Sequence, residues 1–261
     1  MPEQTDRYVI NSVLRAAQLL ESFSFKKAVY TNTELSKKLR LNKSTVTRLL
    51  RSLEKAGLLK KNSKTGEFKL TSKIYRIGSV YIAQSSLHTE AMPVLTELAS
   101  SCKETVHLAI LNEFELFFLD KVESSQSIAM MSHVGNKCSA YCTGVGKALL
   151  AHLDKQDLDT FFRSVELKRY TPNTITDPAE LRLHLEKVKQ HGYAIDNVEH
   201  EAEVKCVGAP VRDKSGRVVA GISISAPAFR MNQESILKKR ISGVKKAAIT
   251  ISRRLGYLGE K

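Results

Sequence analysis

Two parts of the chain hold side chains grouped so that they could bind or react with a partner molecule. In the first, Ser44, Thr47, Arg48 and Arg51 stand at i, i+3, i+4 and i+7. On a helix they share one face, with Lys43 and Thr45 in its first turn. A guanidinium can pair bidentately with guanine, and hydroxyls and ammonium groups can hold phosphates. Lys60, Lys61 and Lys64 follow in a short basic stretch that can reach neighbouring phosphates. Plainer readings stand beside these: amphipathic helices show Ser, Thr and Arg to water, and Lys-rich hairpins protect sheet edges. In the second part, Gly144-Val145-Gly146 precedes a helical segment, so free amides there can take an anion. Farther on, Gly221, Ser223 and Ser225 share one face of a strand, with Ala220, Ile222 and Ile224 on the other. Cys206 and Gly208 make a similar face on a neighbouring segment, and Pro210 there fits only an edge or a strand end. Small and hydroxyl residues on one side of a buried strand leave room and donors for a small polar molecule; ordinary packing also explains them.

Enzyme signatures are incomplete. Gly146-Lys147-Ala148 lacks both the first glycine and the Ser/Thr of a phosphate loop. Gly221-Ile222-Ser223-Ile224-Ser225 has serine where a nucleophile elbow needs its second glycine. His107, His184, His191 and His200 have no metal-ligand spacing, and Cys102, Cys138, Cys142 and Cys206 form no C-x-x-C pair. No catalytic residue, cofactor or metal is expected, and the thiols read as free and packed in a reducing compartment. The acidic residues Asp196, Glu199, Glu201 and Glu203 read mostly as a solvated loop face, with acyl transfer or hydrolysis as the alternative.

These residues need elements to hold them. Ile10, Val13, Leu14, Ala17, Leu20 and Phe23 recur at steps of three and four, predicting a helix over 9–23. Thr31-x-x-Glu34 has capping-box spacing for a second helix with Leu35 and Leu39 inward. After Arg40-Leu41, Asn42 is a fitting N-cap for a third helix to about Ala56, buried along Val46, Leu49, Leu50 and Leu53. Gly57 ends it, and strands at 58–61 and 67–70 flank a turn at 62–66. Two short helices, a tight turn and a basic hairpin match a winged helix-turn-helix. A connecting helix is expected over 72–87 and another over 88–101, with Pro93 near its first turn. Strands follow at 105–110, 115–121, 127–131, 194–196, 204–212 and 218–225, with helices at 146–153, 154–162, 177–191 and 232–255. That order predicts an α+β domain with a largely antiparallel sheet.

Charge separates the two parts. The 261 residues carry a formal +14, and 15 of the 41 Lys/Arg but only 6 of the 27 Asp/Glu lie in residues 1–72. A basic module beside a nearly balanced one suggests a polyanion partner for the first; a solubilising surface reads equally well. Hydrophobic residues at 42% allow a real core. No signal peptide or membrane-length apolar run is visible, so a cytoplasmic protein without a membrane partner is expected.

The order and spacing of Ser12-Val13-Leu14-Arg15-Ala16, Leu35-Ser36, Ser44-Thr45-Val46-Thr47-Arg48-Leu49-Leu50 and Gly57-Leu58 resemble the DNA-binding domain of IclR-type transcription regulators. The resemblance continues through Glu104-Thr105-Val106-His107-Leu108, Gly144-Val145-Gly146-Lys147-Ala148-Leu149-Leu150, Gly192-x3-Asp196-x2-Glu199 and Cys206-Val207-Gly208-x2-Val211-Arg212-Asp213. Only Arg212 departs from the pattern, where an aromatic or His is common. The resemblance implies a winged helix-turn-helix over 1–71, a linker helix over 72–87 and a GAF-like effector domain over 88–261. It also implies a palindromic duplex operator, a homodimer or dimer of dimers, and a small carboxylic or sugar acid as effector. Within the family the sequence resembles regulators of sugar-acid breakdown of the 2-keto-3-deoxygluconate type. Effector sites of this family place their contacts at Gly144, Val145, Asp196, Cys206, Ser223 and Ser225, with Met130 in the apolar lining.

Overall fold

The structure, a computed structural model, describes residues 9–128 and 130–259. It divides into two compact units, the first ending at Gln84 and the second starting at Ser85.

The first unit runs α1 (Asn11–Glu21), β1 (Val29–Tyr30), α2 (Asn32–Leu39), α3 (Lys43–Lys55), β2 (Leu59–Lys61), β3 (Phe68–Leu70) and α4 (Ser72–Gln84). The capping box at Thr31 and Glu34 forms in both directions. Arg40 in the left-handed region turns the chain out of α2, and Leu41 N–H closes back on the Ser36 carbonyl at 3.1 Å. Val46, Leu49, Leu50 and Leu53 are buried with Leu35, Leu59 and Phe68, as helical spacing predicts. The wing is a three-stranded sheet in the order β1-β3-β2, because Val29–Tyr30 adds a strand the sequence did not announce. The apolar stripe of α1 is not all inward. Leu19 is fully buried, with Ala16, Leu20 and Phe23 beside it, but Ile10, Val13, Leu14 and Ala17 are exposed. The residues of α1 that join the core lie in its second half.

The second unit holds α5 (Ser86–Cys102), β4 (Thr105–Asn112), β5 (Glu115–Val122), β6 (Lys137–Ser139), α6 (Gly144–Leu150), α7 (Lys155–Ser164), α8 (Pro178–His191), β7 (Ala194–Asn197), β8 (Val204–Arg212), β9 (Val218–Pro227) and α9 (Glu234–Arg254). Its six strands pair antiparallel in the order β6-β5-β4-β9-β8-β7. The alternation read from the sequence sorts the faces. Val106, Leu108, Val207, Ile222 and Ile224 turn toward α5 and α9, making one core. On the other side α6, α7 and α8 bury Ala109, Val145, Leu149, Phe161, Leu181 and Leu185. Two expectations are corrected. The predicted strand at 127–131 is irregular chain where it is described, and the edge strand is β6 instead. Pro93 lies inside α5 rather than in its first turn, because Ser85 caps the helix earlier, accepting from the His88 amide.

Helix α6 lies unusually close to the sheet. A Cβ on Gly144 would stand 3.1 Å from the Cys206 carbonyl oxygen, and one on Gly208 would collide with the backbone of Gly144 and Val145. One on Gly221 would stand 2.7 Å from Val145 Cγ2. The room that Gly208 and Gly221 leave on their strands is therefore filled by α6 itself. Gly208→Ala is expected to destabilise the protein by about 1–3 kcal/mol through overpacking. An unchanged urea midpoint for this variant would show that α6 does not press so closely.

Candidate functional site

On α3, Lys43, Ser44, Arg48 and Arg51 are exposed, while Thr45 and Thr47 are half-buried. The Thr47 hydroxyl donates to the Lys43 carbonyl at 2.8 Å and accepts from Asn32 Nδ2 at 2.7 Å, so it braces α2 against α3. Asn42 occupies the N-cap, yet its side chain makes no capping hydrogen bond. The opening amides of α3 are left to other acceptors, which suits a phosphate.

The wing adds a second signal. Its strand register sets Lys60 directly opposite Lys69, both exposed, and like charges in that position repel. A row of phosphates would relieve the repulsion. Lys61 and Lys64 are exposed nearby, and Lys61 leans over the Phe68 ring at 5.8 Å. A groove of about 420 Å³ is lined by Lys60, Lys61 and Lys69. Sequence reasoning missed Lys69, because only the register reveals its partner.

In the second unit the register assembles two polar rows across the sheet. One joins Asp196, Cys206, Ser225 and Thr105; the next joins Gly208, Ser223, His107 and Lys121. Asp196, Ser223, Ser225, Thr105 and His107 are all buried. Gly144 and Val145 sit against Cys206 and Gly208 at the rows' edge. Met130 is half-buried in the chain between β5 and β6, and its carbonyl accepts from Lys121 Nζ at 2.9 Å. The same ammonium holds the Ser132 carbonyl at 2.8 Å, while His107 Nε2 meets Ser132 Oγ at 2.6 Å. Thr105, His107, Lys121 and Ser132 thus join the candidate set. The alternation of Thr105 and His107 with Val106 and Leu108 already carried the signal for the first two.

The acidic residues divide differently from the solvated face expected. Glu199 is buried and pairs with Lys147 Nζ, itself fully buried, at 2.5 Å. Its amide donates to Asp196 Oδ1 at 2.7 Å. Its carbonyl accepts from Thr174 Oγ1 at 2.6 Å, and Thr171 Oγ1 holds the Val198 carbonyl at 2.6 Å. The turn after β7 is pinned on several sides.

Burial raises the Asp196 carboxyl from 3.8 to about 6, against the lowering effect of the Glu199 amide. Burial, then the Lys121 charge, holds His107 down to about 3, so its ring is neutral. Burial likewise pushes the Cys138 thiol up to about 12 and Cys206 well above its ordinary value, which leaves both poor nucleophiles. Ser225 Oγ lies 3.4 Å from His107 Nδ1, but the far nitrogen meets a serine hydroxyl rather than a carboxylate. So weak a base without an orienting acid does not make a triad. The arrangement is suited to binding: neutral donors and acceptors around a carboxyl that burial raises to about 6.

Comparison with known proteins places both units. Residues 12–63 match the family model of the IclR helix-turn-helix domain, and residues 79–253 match that of the bacterial transcriptional regulator IclR C-terminal domain. The HTH-type transcriptional regulator KdgR of Escherichia coli (strain K12) is 33% identical over 248 residues, covering 95% of this chain and 94% of that protein. The HTH-type transcriptional regulator BhcR of Paracoccus denitrificans (strain Pd 1222) is 34% identical, covering 95% and 87%. The crystal structure of the Thermotoga maritima IclR superposes with a TM-score of 0.73 at 34% identity, covering 95% of this chain and 99% of that one.

The raised Asp196 carboxyl has a consequence for stability. Its ionised form is penalised in the fold, so the cost is absent below about pH 4, grows through the window between 3.8 and about 6, and is complete above it. Asp196→Asn keeps the acceptor for the Glu199 amide and removes the charge. Its stability relative to the parent should rise between pH 4 and pH 7, by up to about 3 kcal/mol. Parallel denaturation curves with a pH-independent difference would contradict this.

Proposed function

The chain belongs to the IclR family of bacterial transcriptional regulators, and on that premise we propose that it is a repressor whose grip on a palindromic operator is controlled by a small organic or sugar acid. It is a DNA-binding regulator, not an enzyme. The observation that carries the DNA reading is the exposed Ser44–Arg48–Arg51 face of α3 beside the opposed lysines of the wing. Arg48 and Ser44 read base edges in the major groove, while Lys43, Arg51, Lys60, Lys61, Lys64 and Lys69 hold phosphates. Thr47 braces the two helices through Asn32 and the Lys43 carbonyl, and Thr45 adds a hydroxyl toward the phosphates from the first turn of α3.

A palindromic site calls for two such units. Exposed apolar side chains support a homodimer: Val13 and Leu14 on α1, and Tyr75, Ile77, Val80 and Tyr81 on α4, are each more than half exposed. A second copy of the chain covers such faces, and a dimer of dimers extends the same logic. No helix among the described residues is long and apolar enough to cross a membrane. The cytoplasm, where the operator lies, is the proposed location.

The effector occupies the polar rows, with Gly144 and Val145 at its carboxylate, Ser223 and Ser225 donating to its oxygens, and Asp196 at a hydroxyl. Cys206 and Met130 complete the lining. Its binding shifts the balance between two placements of the DNA-binding units by about 1–3 kcal/mol, through α4 in the connecting chain.

Footprinting on the protein's own upstream region should reveal two half-sites spaced by about one helical turn or a multiple of it. Arg48→Ala should weaken that complex by about 10- to 100-fold with its fold intact. Uniform binding to any duplex, or unchanged occupancy by the Arg48 variant, would leave a charge-only nucleic-acid binder. In calorimetry with 2-keto-3-deoxygluconate, D-gluconate and pyruvate, Ser223→Ala should weaken effector affinity about 5- to 10-fold while operator affinity stays the same. Equal effector affinity in parent and variant would remove Ser223 from the site.

A further inference from the structure

The Lys147–Glu199 pair is the most deeply buried ion pair among the described residues, and no role assigned so far uses it. Lys147 lies on α6, one turn beyond Gly144 and Val145. Glu199 lies three residues beyond Asp196 and is tied to it through its own amide. Glu199 Oε1 takes both the Lys147 ammonium and the Asn197 amide, at 2.5 and 3.1 Å. Its other oxygen, Oε2, is buried with no hydrogen-bond partner. The pair therefore bridges the two parts of the effector site proposed above, the first turn of α6 and the acid on β7.

The charges around Asp196 do not balance. From its own turn it faces Glu199 and His200, from α6 Lys147, from β8 Cys206, from β6 Cys138, and from the turn after β6 Cys142. The thiols are all pushed up and carry no charge. One buried cation already paired to one carboxylate leaves a second carboxylate, Asp196, with no full counter-charge. Bringing an anionic ligand to the same place adds a further negative charge in a dry site, which is unfavourable until one of them takes a proton.

We propose that Lys147 and Glu199 are positioning residues that aim Asp196 into the effector site and set its charge, so that an acidic effector binds together with one proton taken up by Asp196. The inference rests on the acid-effector reading above. Protonated, Asp196 donates from one oxygen to the effector and still accepts the Glu199 amide on the other. The carboxyl stands ready for this, because burial already brings it to about 6, with Glu199 repulsion adding to the rise. The proton comes from solvent, and no other bond changes.

Isothermal calorimetry at pH 7.5 in two buffers of different ionisation enthalpy counts the protons. The titrants are 2-keto-3-deoxygluconate, D-gluconate and pyruvate. The parent protein should take up between about half and one proton per effector bound, and its affinity should rise as pH falls from 8 to 6, by at most tenfold per unit. Asp196→Asn should bind with no uptake and a flat pH profile. Glu199→Gln keeps the hydrogen bonds to Lys147 and Asn197 but removes the negative charge. Lys147 then acts on Asp196 alone, so the pH dependence should move to lower pH, a shift that loosened packing alone would not produce. Binding heats independent of buffer in the parent, or uptake that persists in Asp196→Asn, would overturn the inference while leaving the acid-effector reading in place. Failure of all three acids to bind would withdraw that reading and this inference with it.

Discussion

The backbone of α6 lies against the backbone of β8 with no side chain between them, and the effector domain is arranged around that contact. Gly144 and Gly208 meet where any Cβ would intrude, and Gly221 on the next strand yields to the Val145 side chain. A helix so close to a sheet brings its own residues to the strand surface. It carries Lys147 inward to full burial, where it pairs with Glu199 on the turn after β7. That turn in turn fixes Asp196 opposite Cys206, which sits against the first turn of α6 on one side and pairs with Ser225 on the next strand. Three glycines and one ion pair thus decide where the polar rows end and what faces them.

Burial governs the chemistry of those rows. The same loss of water that keeps His107 neutral keeps the thiols protonated and makes the Asp196 charge costly. A site of this kind is poor at nucleophilic or general-base catalysis, which needs groups poised to give or take charge repeatedly. It is good at discrimination, because each neutral donor and acceptor left unmatched by a ligand costs free energy.

The N-terminal unit shows the complementary situation, interactions left open. Its small core of Leu19, Leu35, Val46, Leu50, Leu59 and Phe68 is closed. Its exposed features are the unsatisfied ones: a helix whose cap side chain is idle, two lysines facing each other across a wing, and apolar residues on α1 and α4 turned to water. Each is unfavourable in an isolated chain and would be relieved by a phosphate backbone or a second copy, as proposed above.

Much of this was legible in the order of residues. The capping box at Thr31, the buried stripe of α3, the turn at 62–66 and the alternation in β4 and β9 are local patterns, and local patterns follow from helix and strand periods alone. The α+β class and the exposed Ser44–Arg48–Arg51 face followed from them. Tertiary structure alone decided what is opposite what. Lys60 faces Lys69, and Asp196 shares a row with Thr105, because of strand register, which no single segment contains. The acid at Glu199, outwardly one of a solvated run, is buried because α6 delivers a lysine 52 residues earlier in the chain. The glycines on β8 and β9, legible as space, are filled because a helix close enough to use that space exists only once the sheet has formed.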